Sequence, residues 1–189
     1  MTVVTGSPNN ELKIPEVLKS VPTKLWSITS TDVGLLVSAQ PVNIKTKGGH
    51  PPLAVKQYPI PQEAEKSTQK QIDRNFEGGC VSLYNTPILP VKMNRLDEDG
   101  DPEYRFVQDL RVVNQHVVTP HPVVPDPSAI LSQRPHWARY FTVIDLTAAF
   151  FSIPLDEDSQ LLFAFTWKGQ QLTWTHLPQG FAGSPTIFS

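Results

Sequence analysis

Apolar positions along this chain come in short runs, each closed by a turn signal, and their spacing changes from one segment to the next. Tyr140 to Ile144 is β-branched and aromatic and predicts a buried strand. The runs LLFAFTW (161–167) and QQLTWTHLP (170–178) flank Lys168-Gly169 and predict a hairpin. Two further extended runs, TPILPVKM (86–93) and YRFVQDLR (104–111), are separated by the acidic NRLDEDGDPE, read as a solvated hairpin tip. Residues 62–77 are polar with few apolar positions and stop at Gly78-Gly79, which predicts a solvent-facing helix. DLRVVNQ (109–115) suits a short helix with Asp109 as its cap, and PSAILSQ suits another. Ser184-Pro185 predicts a helix start, a cap followed by a first-turn proline. PVNIK and LAVKQYP read as extended segments around the Gly48-Gly49 turn. Residues 1–30 show no sustained period, and Trp26 and the run Val33 to Val37 are candidates to dock on the body.

Composition changes this picture in four ways. The 39% hydrophobic and 18% charged content is that of a globular chain, and no run approaches the roughly 20 apolar residues that span a bilayer. The N-terminus lacks the basic segment and apolar core of a signal peptide, and the single cysteine, Cys80, excludes an internal disulfide; both suit a reducing, intracellular compartment. A net charge of −2 argues against purely electrostatic binding of nucleic acid but leaves room for a local basic groove. Lys45, Lys47, Lys56, Lys66, Lys70 and Arg74 offer such a surface, diluted by Glu63, Glu65 and Asp73. The 19 prolines, about twice the usual share, predict short elements joined by fixed turns.

Asp145 is the residue with the most chemistry in it: a lone carboxylate between the apolar strand and Thr147-Ala148-Ala149. A charged group at the end of a buried strand is costly unless compensated. It reads either as a helix cap or as a metal ligand. The acidic tip fails the calcium-loop spacing, since counting from Asp97 the sixth and twelfth positions are Pro102 and Gln108. His116 and His121 flank a proline loop without helical or hairpin spacing and read as structural or solvent-facing rather than as metal ligands.

Taken in order, VKQYPIPQEA, YNTPILPVK, YRFVQDLRVVN, HPVVPDP, FTVIDL, AAFFSIPL, FAFTW, QLTWTHLPQGF and SPTIF give the sequence its character. From about Leu35 to Ser189 it resembles the reverse transcriptase of gammaretrovirus-type Pol polyproteins, endogenous copies included. The resemblance implies an α+β fold, the fingers and partial palm of a right-hand polymerase. Residues 1–34 would be a linker or tail, 35–138 the fingers and 139–189 the partial palm. It implies that Asp145 is a catalytic carboxylate binding Mg²⁺ with help from the Leu146 carbonyl. Arg105 would clamp the triphosphate, Phe150 would exclude a 2′-hydroxyl, and Gln179 would line the nucleotide pocket. Lys92 holds the first of two family lysines on the nucleotide side; the second, which touches the triphosphate, is Met93 here. These residue types suit phosphoryl transfer, where positioning and charge neutralisation dominate, where a guanidinium grips phosphate at two points, and where a rigid ring excludes the 2′-hydroxyl. Taken singly, Arg105 reads as a surface ion pair, Phe150 as packing and Gln179 as a turn.

The implied partners are an RNA or DNA primer–template and a deoxynucleoside triphosphate. The family's DLKDAFF reads DLTAAFF, with Ala148 in place of Asp, and the stretch from Gly78 to Asn85 is about three residues short. The family's Tyr-x-Asp-Asp hairpin, thumb, connection and RNase H region are not among the 189 residues. Because a two-metal clamp needs several carboxylates, the chain is expected to be inactive alone, a truncated and decayed open reading frame. A non-catalytic nucleic-acid or protein interaction module, or a relic without a role, are the alternatives. Phe141, Val143, Phe163 and Phe165 are expected to be partly exposed on the palm, leaving the chain marginal and prone to self-association: ~200 Å² of uncovered apolar surface forfeits roughly 5 kcal/mol.

Overall fold

The computed structural model describes residues 20–22, 34–49, 51–76, 79–97, 99–119, 126–137 and 146–189. Trp26, Val33, His121 and the strand expected at 140–145, with Phe141, Val143 and Asp145, lie outside the described residues. Helix α1 (Gln62–Asn75) leads into the antiparallel hairpin β1 (Ile88–Leu96) and β2 (Pro102–Gln108). Two short helices follow, α2 (Arg111–His116) and α3 (Pro127–Ser132). After a 3-10 turn at Ala149–Ser152 come α4 (Glu157–Gln160), a second 3-10 turn at Leu161–Phe163, the hairpin β3 (Phe165–Trp167) and β4 (Gln170–Leu172), and α5 (Ser184–Phe188). Among the described residues no helix is long and apolar enough to cross a membrane.

Helix α1 is not the free, solvent-facing helix its composition predicts. Ala64, Ser67, Thr68 and Ile72 form a buried stripe at helical spacing, and the small side chains let the hairpin approach closely. The polar residues cover a strand edge. Ser67 Oγ accepts from the Tyr104 N–H at 3.1 Å, and Gln71 Oε1 accepts from the Phe106 N–H at 3.0 Å. The Gln71 amide donates in turn to the Tyr104 carbonyl. Backbone groups on the side of β2 away from β1 are thereby paired by side chains, which closes an otherwise exposed edge. Gln57 does the same at the start of β1, accepting from Ile88 N–H at 2.9 Å and donating to its carbonyl at 2.8 Å. At the far end, Lys70 Nζ lies 2.8 Å from Asp97 and 2.5 Å from Asp99, and Lys66 pairs with Asp101.

Two apolar cores follow. One joins Leu110, Val113 and Val117 to Ile153, Leu155, Leu162, Phe163, Leu177 and Phe181. The other joins Ile72 of α1 and Ile88 of β1 to Phe165, Trp167 and Leu172 of the second hairpin. Phe163 and Phe165 are therefore fully buried, at 0% exposure, rather than facing solvent. The expectation failed because it left out the α2 segment and Phe181 as cover for Phe163, and α1 with the first hairpin as cover for Phe165. The apolar side chains that do face solvent include Leu35, Val37, Val81 and Leu83. Leu36, half-exposed, docks through its backbone N–H, which donates to the Ser152 carbonyl at 3.0 Å.

Turn chemistry held at Gly48-Gly49, at the acidic tip and at Lys168-Gly169, and moved in three places. Lys168 and Gly169 take φ of 46° and 81°, the paired positive values a two-residue hairpin requires. The apolar run before it is not strand throughout: Leu161–Phe163 is a 3-10 turn continuing α4, whose start Asp156 caps by accepting from Ser159 N–H at 2.7 Å. Ser184 is not a cap. The N-cap of α5 is Gly183, and the buried Ser184 hydroxyl donates to the Pro178 carbonyl at 3.0 Å. Asp109 stands one residue ahead of the α2 N-cap, Leu110, and accepts from Arg111 N–H at 3.2 Å and from the Arg111 guanidinium at 2.6 and 2.8 Å. The Arg111 guanidinium holds the Asp109 carboxyl down at about 2. A depressed carboxylate stabilises the fold above its unfolded value, near 4, and the contribution is lost as pH falls towards about 2. Asp109→Asn is thus expected to cost about 1 kcal/mol at pH 7. The gap between the two proteins should close in denaturant melts run down from pH 5 to pH 2; a gap independent of pH would refute the pairing.

Candidate active site

The two cationic residues read from the sequence sit on one hairpin but on opposite faces. Lys92 is paired with Tyr104, which is buried on the α1 side, and its Nζ is 4.0 Å from Glu63 of α1. Arg105 is paired with Val91; both are exposed on the other face. Opposed residues of an antiparallel pair share a face and neighbours along a strand alternate. The structure therefore does not bring Lys92 and Arg105 together, and Arg105 keeps its guanidinium free of any ion pair among the described residues.

Leu146 opens the second part of the site and is 52% exposed. The chain then turns through Ala148 in the left-handed region, φ 52° and ψ 38°, into the 3-10 turn that carries Phe150. A left-handed conformation strains Ala but suits Asp or Asn. The Ala148 position, where the resemblance calls for Asp, is thus one at which the side chain has a backbone consequence. Phe150 is half-buried against the first core, its ring edge-on to Phe188 at 6.0 Å and 76°. Phe151 stacks on Trp174 at 4.9 Å and 13°.

Gln179 comes from a chain segment bound to that one. Pro154 and His176 form an antiparallel bridge, Leu155 N–H donates to the Thr175 carbonyl at 2.9 Å, and Leu177 N–H to the Ile153 carbonyl at 3.0 Å. This pairing sets the Phe150 turn and the Gln179 turn at the same end of two adjacent segments. Gln179 is exposed, beside Gly180 with φ 88°, a value that favours glycine. Burial of the imidazole holds His176 below its ordinary value.

Sequence reading missed the residue that ties these parts to β2. Gln108 is 5% exposed; its amide donates to Thr86 Oγ1 at 2.7 Å and to the Phe163 carbonyl at 2.8 Å, and accepts from Trp174 Nε1–H at 2.7 Å. One buried side chain thus links the strand of Arg105 to the ring on which Phe151 stacks. The available signal was a polar residue four positions from buried Tyr104, on the inward phase of β2. Trp174 also belongs to an aromatic cluster with Phe76, Phe106 and Phe165, edge-to-face except for the tilted Phe76–Phe106 pair, with centroids 4.6 to 5.9 Å apart.

Residues 97–189 match the reverse transcriptase (RNA-dependent DNA polymerase) family. The Gag-Pol polyprotein of Walleye dermal sarcoma virus is 42% identical over 184 residues, covering 95% of this chain, and that of Feline leukemia virus 43% over 181 residues, covering 90%. The chain belongs to the reverse transcriptases of retroviral Gag-Pol polyproteins. It spans 10% of the length of each of those two relatives. The prototype foamy virus protease-reverse transcriptase has the same α+β fingers-and-palm fold, with a TM-score of 0.72 and 35% identity over 87% of this chain and 22% of that one. A foamy viral protease-reverse transcriptase in complex with RNA/DNA hybrid gives 0.67 and 32%, over 87% of this chain and 21% of that one.

In this reverse transcriptase segment one acidic cluster is visible among the described residues: carboxylate oxygens of Asp97, Asp99 and Asp101 lie within 4.8 Å of one another. It does not fit a resident cation. Lys70 and Lys66 already supply its positive charge, and Lys70 holds the Asp97 and Asp99 carboxyls below their ordinary values. The same pairing removes Lys66 and Lys70 from any basic groove. Lys47 is likewise engaged, donating to the Gln115 carbonyl at 2.8 Å. His116 Nδ1 is 2.7 Å from the Val112 carbonyl of its own helix, a local structural contact.

Proposed function

We propose that this segment supplies the nucleotide-gripping side of an RNA-directed DNA polymerase site, with residues 35–138 as fingers and 139–189 as part of the palm. The observation that carries the reading is the shared frame. Gln108, Trp174 and the pairing of 153–155 with 175–177 hold the Phe150 and Gln179 turns beside the strand of Arg105. On that frame Arg105 binds the triphosphate through its unpaired guanidinium. Phe150, braced by Phe188 and the first core, stands against the sugar and excludes a 2′-hydroxyl. Gln179 lines the pocket with an amide that makes no hydrogen bond to the described residues. Lys92, on the opposite face and near Glu63, contributes positive potential rather than a direct contact. Asp145 and the Leu146 carbonyl would hold Mg²⁺, which supplies charge neutralisation for the transferring phosphoryl group. The partners are an RNA or DNA template–primer and a deoxynucleoside triphosphate. The nucleic-acid complexes of the foamy viral relatives support the first of these.

The test is the affinity of the chain for a labelled RNA/DNA template–primer, with and without the next complementary dNTP, over a salt series. Binding should weaken with salt, and the dNTP should tighten it. Arg105→Ala should remove most of that tightening, roughly tenfold for a charged two-point contact, and leave stability within about 0.5 kcal/mol because the side chain is exposed. Binding that ignores the dNTP would point to a non-catalytic nucleic-acid module, and absence of binding would refute the proposal.

A further inference from the structure

We propose that Asn114 is a positioning residue that sets the Gln179 turn for nucleotide binding; this rests on the reading of Gln179 given above. The turn at residues 178–182 has buried anchors, Pro178 and Phe181, while Gln179, Gly180 and Ala182 face solvent. Its backbone is held by side chains rather than by a strand. Asn114 Nδ2–H donates to the Gly180 carbonyl at 2.9 Å, and Asn114 Oδ1 accepts from Ala182 N–H at 2.9 Å. Between those two bonds the Phe181 ring is sunk in the first core, edge-on to Phe163 at 5.3 Å and 72°. The Ser184 hydroxyl holds the Pro178 carbonyl on the other side. Gln179 is therefore the one side chain of the turn that is both exposed and long enough to reach a ligand, with its neighbouring peptides fixed on each side.

The helix that presents Asn114 is itself anchored. Leu110, Val113 and Val117 enter the first core, so the amide is carried on a fixed base. A planar amide offers a donor and an acceptor in one group, which is what a carbonyl and an N–H two residues apart require. Aspartate would keep the bond from Ala182 but set a carboxylate against the Gly180 carbonyl. Alanine would keep neither. The Gly180 backbone, at φ 88°, is the part of the turn most in need of such a clamp. Fixing a ligand-contacting residue beforehand favours binding by reducing the ordering left to be done when the ligand arrives.

The experiment uses the full 189-residue chain, an RNA/DNA template–primer and the complementary dNTP, well below the melting temperature of every variant. The measured quantity is the factor by which dNTP tightens the complex. Asn114→Ala should lower that factor about tenfold, two hydrogen bonds' worth, while template–primer affinity without dNTP stays within about twofold. Asn114→Asp should fall between Asn and Ala. The double variant Asn114→Ala with Gln179→Ala should match Gln179→Ala alone, because the two act in series. Hydrogen exchange at the Ala182 amide should be about tenfold faster in Asn114→Ala. An unchanged Ala182 exchange rate, an unchanged dNTP factor, or losses that multiply in the double variant would each overturn the proposal. A Gln179→Ala variant with a full dNTP response would instead remove the pocket reading, and this inference with it.

Discussion

Phe163→Ala is expected to destabilise the chain by about 3–5 kcal/mol, the range for a fully buried ring whose site cannot collapse. A single domain commonly has only about 5–15 kcal/mol in total. The ring is at 0% exposure in one core with Leu110, Val113, Val117, Leu177 and Phe181, and backbone pairing fixes the 153–155 and 175–177 segments of that core. Removing it leaves a cavity in a core whose backbone is held by hydrogen bonds between distant segments. Urea melts should show a midpoint far below that of the unchanged chain at an unchanged slope. A loss below about 1 kcal/mol would mean that Phe163 is not covered. By the same argument, self-association driven by Phe163 or Phe165 is not expected of the folded chain. Among the described residues the apolar side chains open to such contact include Leu35, Val37, Val81, Leu83, Leu96, Leu131 and Trp137, which do face solvent.

Gln108→Leu is expected to cost about 2–4 kcal/mol although it nearly preserves volume. The Trp174 indole N–H loses its acceptor, and the Phe163 carbonyl and Thr86 hydroxyl lose a donor, inside a region leucine keeps dry. Leaving partners unsatisfied costs more than the net worth of the bonds. Trp174→Phe, which removes the donor together with part of the ring, should therefore cost less in the Gln108→Leu background than in the unchanged chain. Strict additivity of the two losses in denaturant melts would show that the amide and the indole are not coupled. Since Trp174 carries the stacked Phe151, the same change should also loosen the Phe150 turn.

Much of the local structure was legible because it depends on near neighbours. Lys168-Gly169 made a hairpin because two adjacent residues can take positive φ with little help from the rest of the chain. The acidic tip formed a turn, and its spacing alone excluded a calcium loop. The ordered set of motifs from VKQYPIPQEA to SPTIF fixed the family, since agreement at many separated positions needs no geometry to be specific.

What periodicity misjudged were residues whose partners lie far along the chain. Polar residues of α1 looked solvent-facing because composition scores a glutamine or serine as hydrophilic, whether it meets water or the backbone of β2. Gln71 and Ser67 meet the latter, more than 30 residues away in sequence. Ser184 looked like a cap, but a buried hydroxyl takes the best acceptor in reach, here the Pro178 carbonyl. Leu161 to Phe163 looked like strand because three apolar residues have no period of their own, and α4 ahead of them set the backbone. Arg105, Phe150 and Gln179 were named from the sequence by motif alone. That Arg105 and Lys92 face apart, that Gln108 joins three segments and that Asn114 clamps the Gln179 turn were decided only by tertiary structure, because strand phase across a hairpin and hydrogen bonds between distant segments exist only once the chain has closed on itself.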